Sequence, residues 1–177
     1  MVGFRSSRLA YAALLLMAML WGSTLIVMKN AYAHMDPASL LSSRFIMAAL
    51  AFGIVFPKAW KASWKTIRSG VVLGLLFGAG QILQALGLTG TTASVNGFIT
   101  GLYVVITPLL AALFLGRKVT KPVWVAVGFA TVGLGSLAID PSALSTGLGT
   151  GELLTFLGAV AYALSLIHIS EPTRQEA

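Results

Sequence analysis

The chain has 177 residues, 57% hydrophobic and 10% charged, with a mean hydropathy of +0.89. That balance excludes an ordinary soluble domain, in which about a quarter of the residues are charged. The formal charge of +7 would suit nucleic acid, but the basic residues lie between apolar runs of membrane-spanning length, so lipid is the expected partner and nucleic acid is not. Cysteine is absent, which removes disulfides and thiolate metal sites.

The apolar stretches come in order along the chain, each near the roughly 20 residues that a bilayer core requires. The first, Leu9–Met28, follows Arg5 and Arg8, and Ala31-Tyr32-Ala33 after it has the look of a signal-peptidase site. Its apolar region is too long for a signal peptide and further spans follow at once, so it reads as a retained helix. It carries Trp21 and then Gly22-Ser23-Thr24, where a helix can bend. The second stretch, Ala38–Phe56, contains Arg44, the one ionisable residue well inside a complete span. Arg44 is open to two readings, a side chain that snorkels toward the headgroups or a partner for an anion or carboxylate. Between the second and third stretches, PKAWKASWKTIRS separates Lys58, Lys61, Lys65 and Arg68 from Trp60, Trp64 and Ile67. That pattern predicts a short helix lying at headgroup depth, or a solvated basic loop with two anchoring tryptophans.

The third stretch, Gly70–Leu88, places Gly70, Gly74 and Gly78 at four-residue intervals, followed by Gln81 and Gln84. At about 100° per residue all five share one arc of the helix. The fourth, Ala93–Leu115, has Asn96, Thr100, Tyr103 and Thr107 on a narrow strip beside Gly97 and Gly101, with Pro108 predicted to kink the helix. The fifth is Pro122–Ile139, and a sixth begins at Glu152. The expected fold class is therefore all-α: a polytopic membrane protein with five complete transmembrane helices and the start of a sixth. Nine basic residues lie on one set of connections and only Lys29 on the other, which orients the N-terminus to the cytoplasm of a cell with the chain in its inner membrane.

Polar side chains within spans turn toward other helices or toward a cavity. Taken singly, Gln, Asn and Thr read as bonds between neighbouring helices, with Gly70, Gly74, Gly78, Gly97 and Gly101 as packing surfaces. Taken together, the paired strips read as one wall of a polar path. No Ser/His pair, paired carboxylate or histidine-rich motif lies within the spans, so neither an intramembrane enzyme nor a metal or cofactor site is expected. His34 falls in a connection and is expected to be solvated.

LWGSTLIVMK, SSRFIMAAL and FGAGQILQALGLTGTTASVNGFITGLYVVITPLLAALFLGRKVT, followed by GELLTFLGAVAYAL, resemble in series the EamA family of the drug/metabolite transporter superfamily. The resemblance implies half of a ten-helix carrier built from two inverted five-helix repeats. Residues 1–150 would be the first repeat and residues 151–163 the truncated start of the second. It further implies a secondary transporter that exports a small metabolite, amino acid or drug by alternating access. Trp21, Gln81, Gln84, Asn96, Thr100 and Tyr103 would be its substrate-binding candidates. The alternative is a non-transporting membrane scaffold or assembly subunit. One departure from the family pattern is Arg117-Lys118 after Leu115-Gly116, where many members have glutamate.

The last residues, LSLIHISEPTRQEA, predict that the sixth helix breaks off, because Glu171-Pro172 would otherwise sit at membrane depth. LSLIHISEPTR resembles a translated sequencing adapter, so residues 164–177 are expected to be foreign to the gene and His168 to carry no function. The small-molecule partner would then be bound jointly with a missing C-terminal half of the same protein, and the fragment alone would not transport.

Overall fold

The computed structural model describes residues 4–116, 120–138 and 149–170, and the elements in them are all helical. Helix α1 spans Phe4–Ala31, α2 Pro37–Val55, α3 Trp64–Gly90, α4 Ala93–Gly101, α5 Tyr103–Leu115, α6 Lys121–Ala138 and α7 Thr150–Ser170. Among the described residues five stretches are long and apolar enough to cross a membrane: Leu9–Ala31, Pro37–Val55, Trp64–Gly90, Ala93–Leu115 and Thr150–His168. The chain is a multi-pass, all-α membrane protein. Helix α6 corresponds to the fifth expected stretch, whose last residue, Ile139, lies outside the described residues.

Local chemistry sets the helix starts. Asp36 caps α2 by accepting from the Ser39 amide at 2.8 Å, and Pro37 follows at the first helical position, where its missing N–H costs no hydrogen bond. Ser63 caps α3 by accepting from the Thr66 amide at 3.2 Å, and Thr92 caps α4 through the Val95 amide at 3.2 Å. The Ser63 cap corrects the reading of PKAWKASWKTIRS. Only Pro57–Lys61 forms a separate turn, of 3-10 type, and Lys65 and Arg68 belong to the first turns of α3. With 27 residues α3 is about 40 Å long, more than the roughly 30 Å of a hydrocarbon core, so its basic start extends into the headgroups. Trp60 turns back and donates to the Gly53 carbonyl of α2 at 3.1 Å, yet is 80% exposed, as suits an interfacial anchor.

The fourth span is interrupted at Leu102, between α4 and α5, while Pro108 lies within α5. Near Leu102 the ladder switches register, the Leu102 amide donating to Ile99 and the Val105 amide to Leu102, so the break is made by a tightened turn six residues before the proline. Helix α7 runs to Ser170, with Ser165 and Ile167 buried, and the break expected at Glu171-Pro172 lies outside the described residues.

Packing is concentrated along α7. It lies most extensively on α3 and also contacts α4 and α5, while α4 meets α6 and α1, and α2 meets α3. Met28, Leu41, Ala85 and Leu88 form a buried cluster where α1, α2 and α3 meet, with Leu25, Tyr32, Leu40 and Ala93 around it. Outside these seams the helices present apolar side chains outward, Leu14, Leu15, Ile46, Phe52, Leu75 and Phe129 among them, a surface that only lipid can solvate.

Candidate functional site

The seam between α3 and α7 is made of glycine. A Cβ on Gly87 would overlap the Thr155 hydroxyl and come within 2.6 Å of the Gly151 carbonyl oxygen. One on Gly80 would stand 2.8 Å from the Tyr162 ring, and one on Gly158 would stand 3.0 Å from the Gly80 carbonyl oxygen. Without side chains in the way, the two backbones approach closely enough for polar groups on both helices to bond directly.

Those groups form a buried network. Asn96 is 0% exposed, and its Nδ2 donates to Thr155 Oγ1 at 2.8 Å and to the Gln84 carbonyl at 3.1 Å. Gln84, 7% exposed, donates from Nε2 to Thr100 Oγ1 at 2.9 Å and accepts at Oε1 from the Tyr162 hydroxyl at 2.7 Å. Thr155 donates in turn to the Gly151 carbonyl at 2.7 Å. Asn96 Oδ1 is buried with no hydrogen-bond partner among the described residues. An aromatic layer closes the network on the Tyr162 side, with Phe77 at 5.4 Å and Tyr103 edge-on at 6.2 Å between ring centroids. Every member is uncharged, so the network can bond a neutral amide, hydroxyl or water without the cost of an unpaired charge.

Two cations flank it. Lys29 donates from Nζ to the Leu88, Thr89 and Thr91 carbonyls at 2.7, 3.2 and 2.7 Å. These are the orphan acceptors at the C-terminus of α3, so a basic residue of α1 caps a different helix and meets its negative dipole end. Arg44 donates from Nη1 to Met28 Sδ on α1 at 2.9 Å. It therefore reaches sideways to a neighbouring helix and does not run along its own helix to the headgroups. The Tyr32 hydroxyl, on a ring packed against the same Met28 cluster, is buried without a partner among the described residues, its pKa pushed up by burial and opposed by the Arg44 charge.

The sequence profile of the EamA-like transporter family matches residues 8–138. This chain belongs to the EamA-like transporter family. It is 33% identical over 161 residues to an uncharacterized transporter of Archaeoglobus fulgidus, an alignment covering 91% of this chain and 49% of that protein. It is 30% identical over 164 residues to the uncharacterized transporter YyaM of Bacillus subtilis, covering 87% of this chain and 53% of that protein. The chain thus spans about half the length of the curated relatives it matches. No solved structure matches it significantly.

Within this EamA chain the sequence-predicted residues separate into two groups. Gln84, Asn96 and Thr100 are drawn together and engaged in bonds between helices, as the packing reading of each allowed. Gln81 and Tyr103 are half-buried beside them. Trp21 is apart, 53% exposed on α1, while Ser23 and Thr24 both donate to the Leu20 carbonyl and α1 continues unbroken. The glycines also divide. Among the described residues an added Cβ at Gly70, Gly74 and Gly78 meets nothing within 4 Å, whereas at Gly97 it meets Leu25 Cδ1 at 2.9 Å. Gly101 closes α4 next to the Leu102 break. His34 is exposed, as expected.

Sequence reasoning missed Thr155 and Tyr162, and the glycines that admit them. The signal was available: Gly151, Thr155, Gly158 and Tyr162 repeat the 4, 3, 4 spacing of Asn96, Thr100, Tyr103 and Thr107. Gly80 and Gly87 stand seven residues apart, as do Gly151 and Gly158, the repeat that keeps two helices in register along a seam.

Proposed function

We propose that this chain is the first half of a secondary carrier that exports a small metabolite, amino acid or drug across the cytoplasmic membrane by alternating access. The observation that carries the reading is the uncharged network on α3, α4 and α7. It sits about 9 Å from the C-terminal end of α3, taking Gln84 as six residues from Gly90, and so within the hydrocarbon core. There Gln84, Asn96 and Thr100 serve as a rigid wall, and Gln81, Tyr103 and Trp21 are the side chains left to meet the solute. Residues 1–150 act as the first five-helix repeat, and α7 opens a second repeat of inverted orientation, the arrangement that lets a carrier alternate about a midplane site. The half-length match to relatives called transporters supports this, as does the basic bias that puts the N-terminus in the cytoplasm. Residues 164–177 are read as foreign to the gene, and the genomic codons after position 163 test that directly.

Reconstitution of the full-length carrier in vesicles tests the function. Saturable solute flux, weakened by Gln81→Ala or Tyr103→Phe, is expected; ohmic flux would mean a channel. A scaffold would show no flux at all and would tolerate both substitutions while still requiring Gly87.

A further inference from the structure

Among the described residues no counter-charge meets the positive charge of Arg44. This residue lies two turns into α2, and its one hydrogen bond among the described residues goes to the Met28 thioether, a weak acceptor. Four of its five N–H donors therefore remain unused. The carboxylates among the described residues are engaged elsewhere: Asp36, at the start of the same helix, accepts from Ser39, and Glu152 is hydrogen-bonded to Thr91. Tyr32 packs against the same Met28 cluster that Arg44 reaches, and its hydroxyl is buried without a partner among the described residues. The guanidinium has donors only and the Tyr32 hydroxyl has one more to give, so both can bond acceptor oxygens, and a cation at this depth is costly until an anion joins it.

We propose that Arg44 and Tyr32 form an oxyanion site in which the carboxylate or phosphate end of a solute docks, placing the carrier's cargo among small organic anions. The assignment to cargo rests on the carrier reading; the site itself does not. Two oxygens of the anion take the guanidinium fork side by side, and the Tyr32 hydroxyl donates to one of them. The uncharged body of the solute then extends toward Tyr162 and the network behind it.

Binding to the full chain in nanodiscs of phosphatidylcholine tests the site, with thermal unfolding followed by tryptophan fluorescence. Acetate and inorganic phosphate are titrated against chloride at equal ionic strength. The expected result is a saturable rise in unfolding temperature with acetate or phosphate and none with chloride. Arg44→Gln should abolish the rise, Arg44→Lys should weaken apparent affinity about tenfold because the fork is lost while the charge stays, and Tyr32→Phe should weaken it several-fold. An equal response to chloride, or a response unchanged in both Arg44→Lys and Tyr32→Phe, overturns the proposal, and these two variants decide it if Arg44→Gln does not fold. A second set of nanodiscs contains phosphatidylglycerol. Stabilisation by that lipid alone, with no response to either solute anion, would make Arg44 a headgroup anchor and also overturn it. Anion binding without solute flux would sink the carrier reading and leave the site; flux without anion binding would sink the site alone.

Discussion

From Gly70 to Gly78 a Cβ added to α3 meets nothing within 4 Å, whereas from Gly80 to Gly90 it meets Tyr162, Thr155 or Gly151. The two halves of this helix are similar in composition and differ in what lies across from them. The second half faces α7, so its missing side chains become backbone contact and its glutamine becomes a buried hydrogen-bonding centre. The first half has no such partner among the described residues, and there glycine leaves the helix surface bare. A small-residue pattern therefore marks where helices can approach, and the partner decides where they do.

Substitutions along α3 can break that contrast. Gly87→Val should have the largest effect, a loss of about 3 kcal/mol, because the added atoms overlap Thr155 and press on the Gly151 backbone, neither of which can yield without parting the seam. Thermal unfolding in detergent measures it, and a stability equal to the parent's would show that α3 and α7 do not pack as described. Asn96→Leu should cost about 1–2 kcal/mol, since it removes the buried bonds to the Gln84 carbonyl and to Thr155. A double-mutant cycle with Thr155→Val should return a coupling of about 1 kcal/mol, and a coupling near zero would dissolve the network.

Lys29→Met tests the end of the well-packed half. It removes the donor that caps three carbonyls and should cost about 1 kcal/mol, visible as faster hydrogen exchange in the last turn of α3 with little change at its start. Gly74→Ala, in the bare half, should stay within about 0.5 kcal/mol of the parent, and a large loss there would mean that the first half of α3 is also covered. The smallest effect is expected away from α3, at Asp36. Hydrogen bonds from Ser39 hold its carboxyl below the ordinary range. Its contribution is therefore present above the unfolded value, about 3.9, and fades as the pH falls through the lower folded one. Asp36→Asn should keep the cap and flatten the acid limb of an unfolding-temperature profile; an unchanged profile would place the titration elsewhere.

The strips on α3 and α4 were legible before any coordinates because polar residues are rare in spans and their spacing puts them on one face. Gln84, Asn96 and Thr100 do come together. What each bonds to was not legible. Asn96 could have faced water, lipid headgroups or a helix, and only the position of Thr155, 59 residues further along, settles it. Arg44 shows the same limit, since snorkelling and inward reach look alike until Met28 and Tyr32 are seen beside it.

Hydropathy and charge placed this chain in the membrane, fixed where its helices run and marked the faces that avoid lipid, because the cost of burying a polar group depends on that group alone. The choice of partner depends on two surfaces at once, separated by long stretches of chain. That is why the glycine seam and the partners of Gln84 and Asn96 emerged only when α7 was laid against α3 and α4.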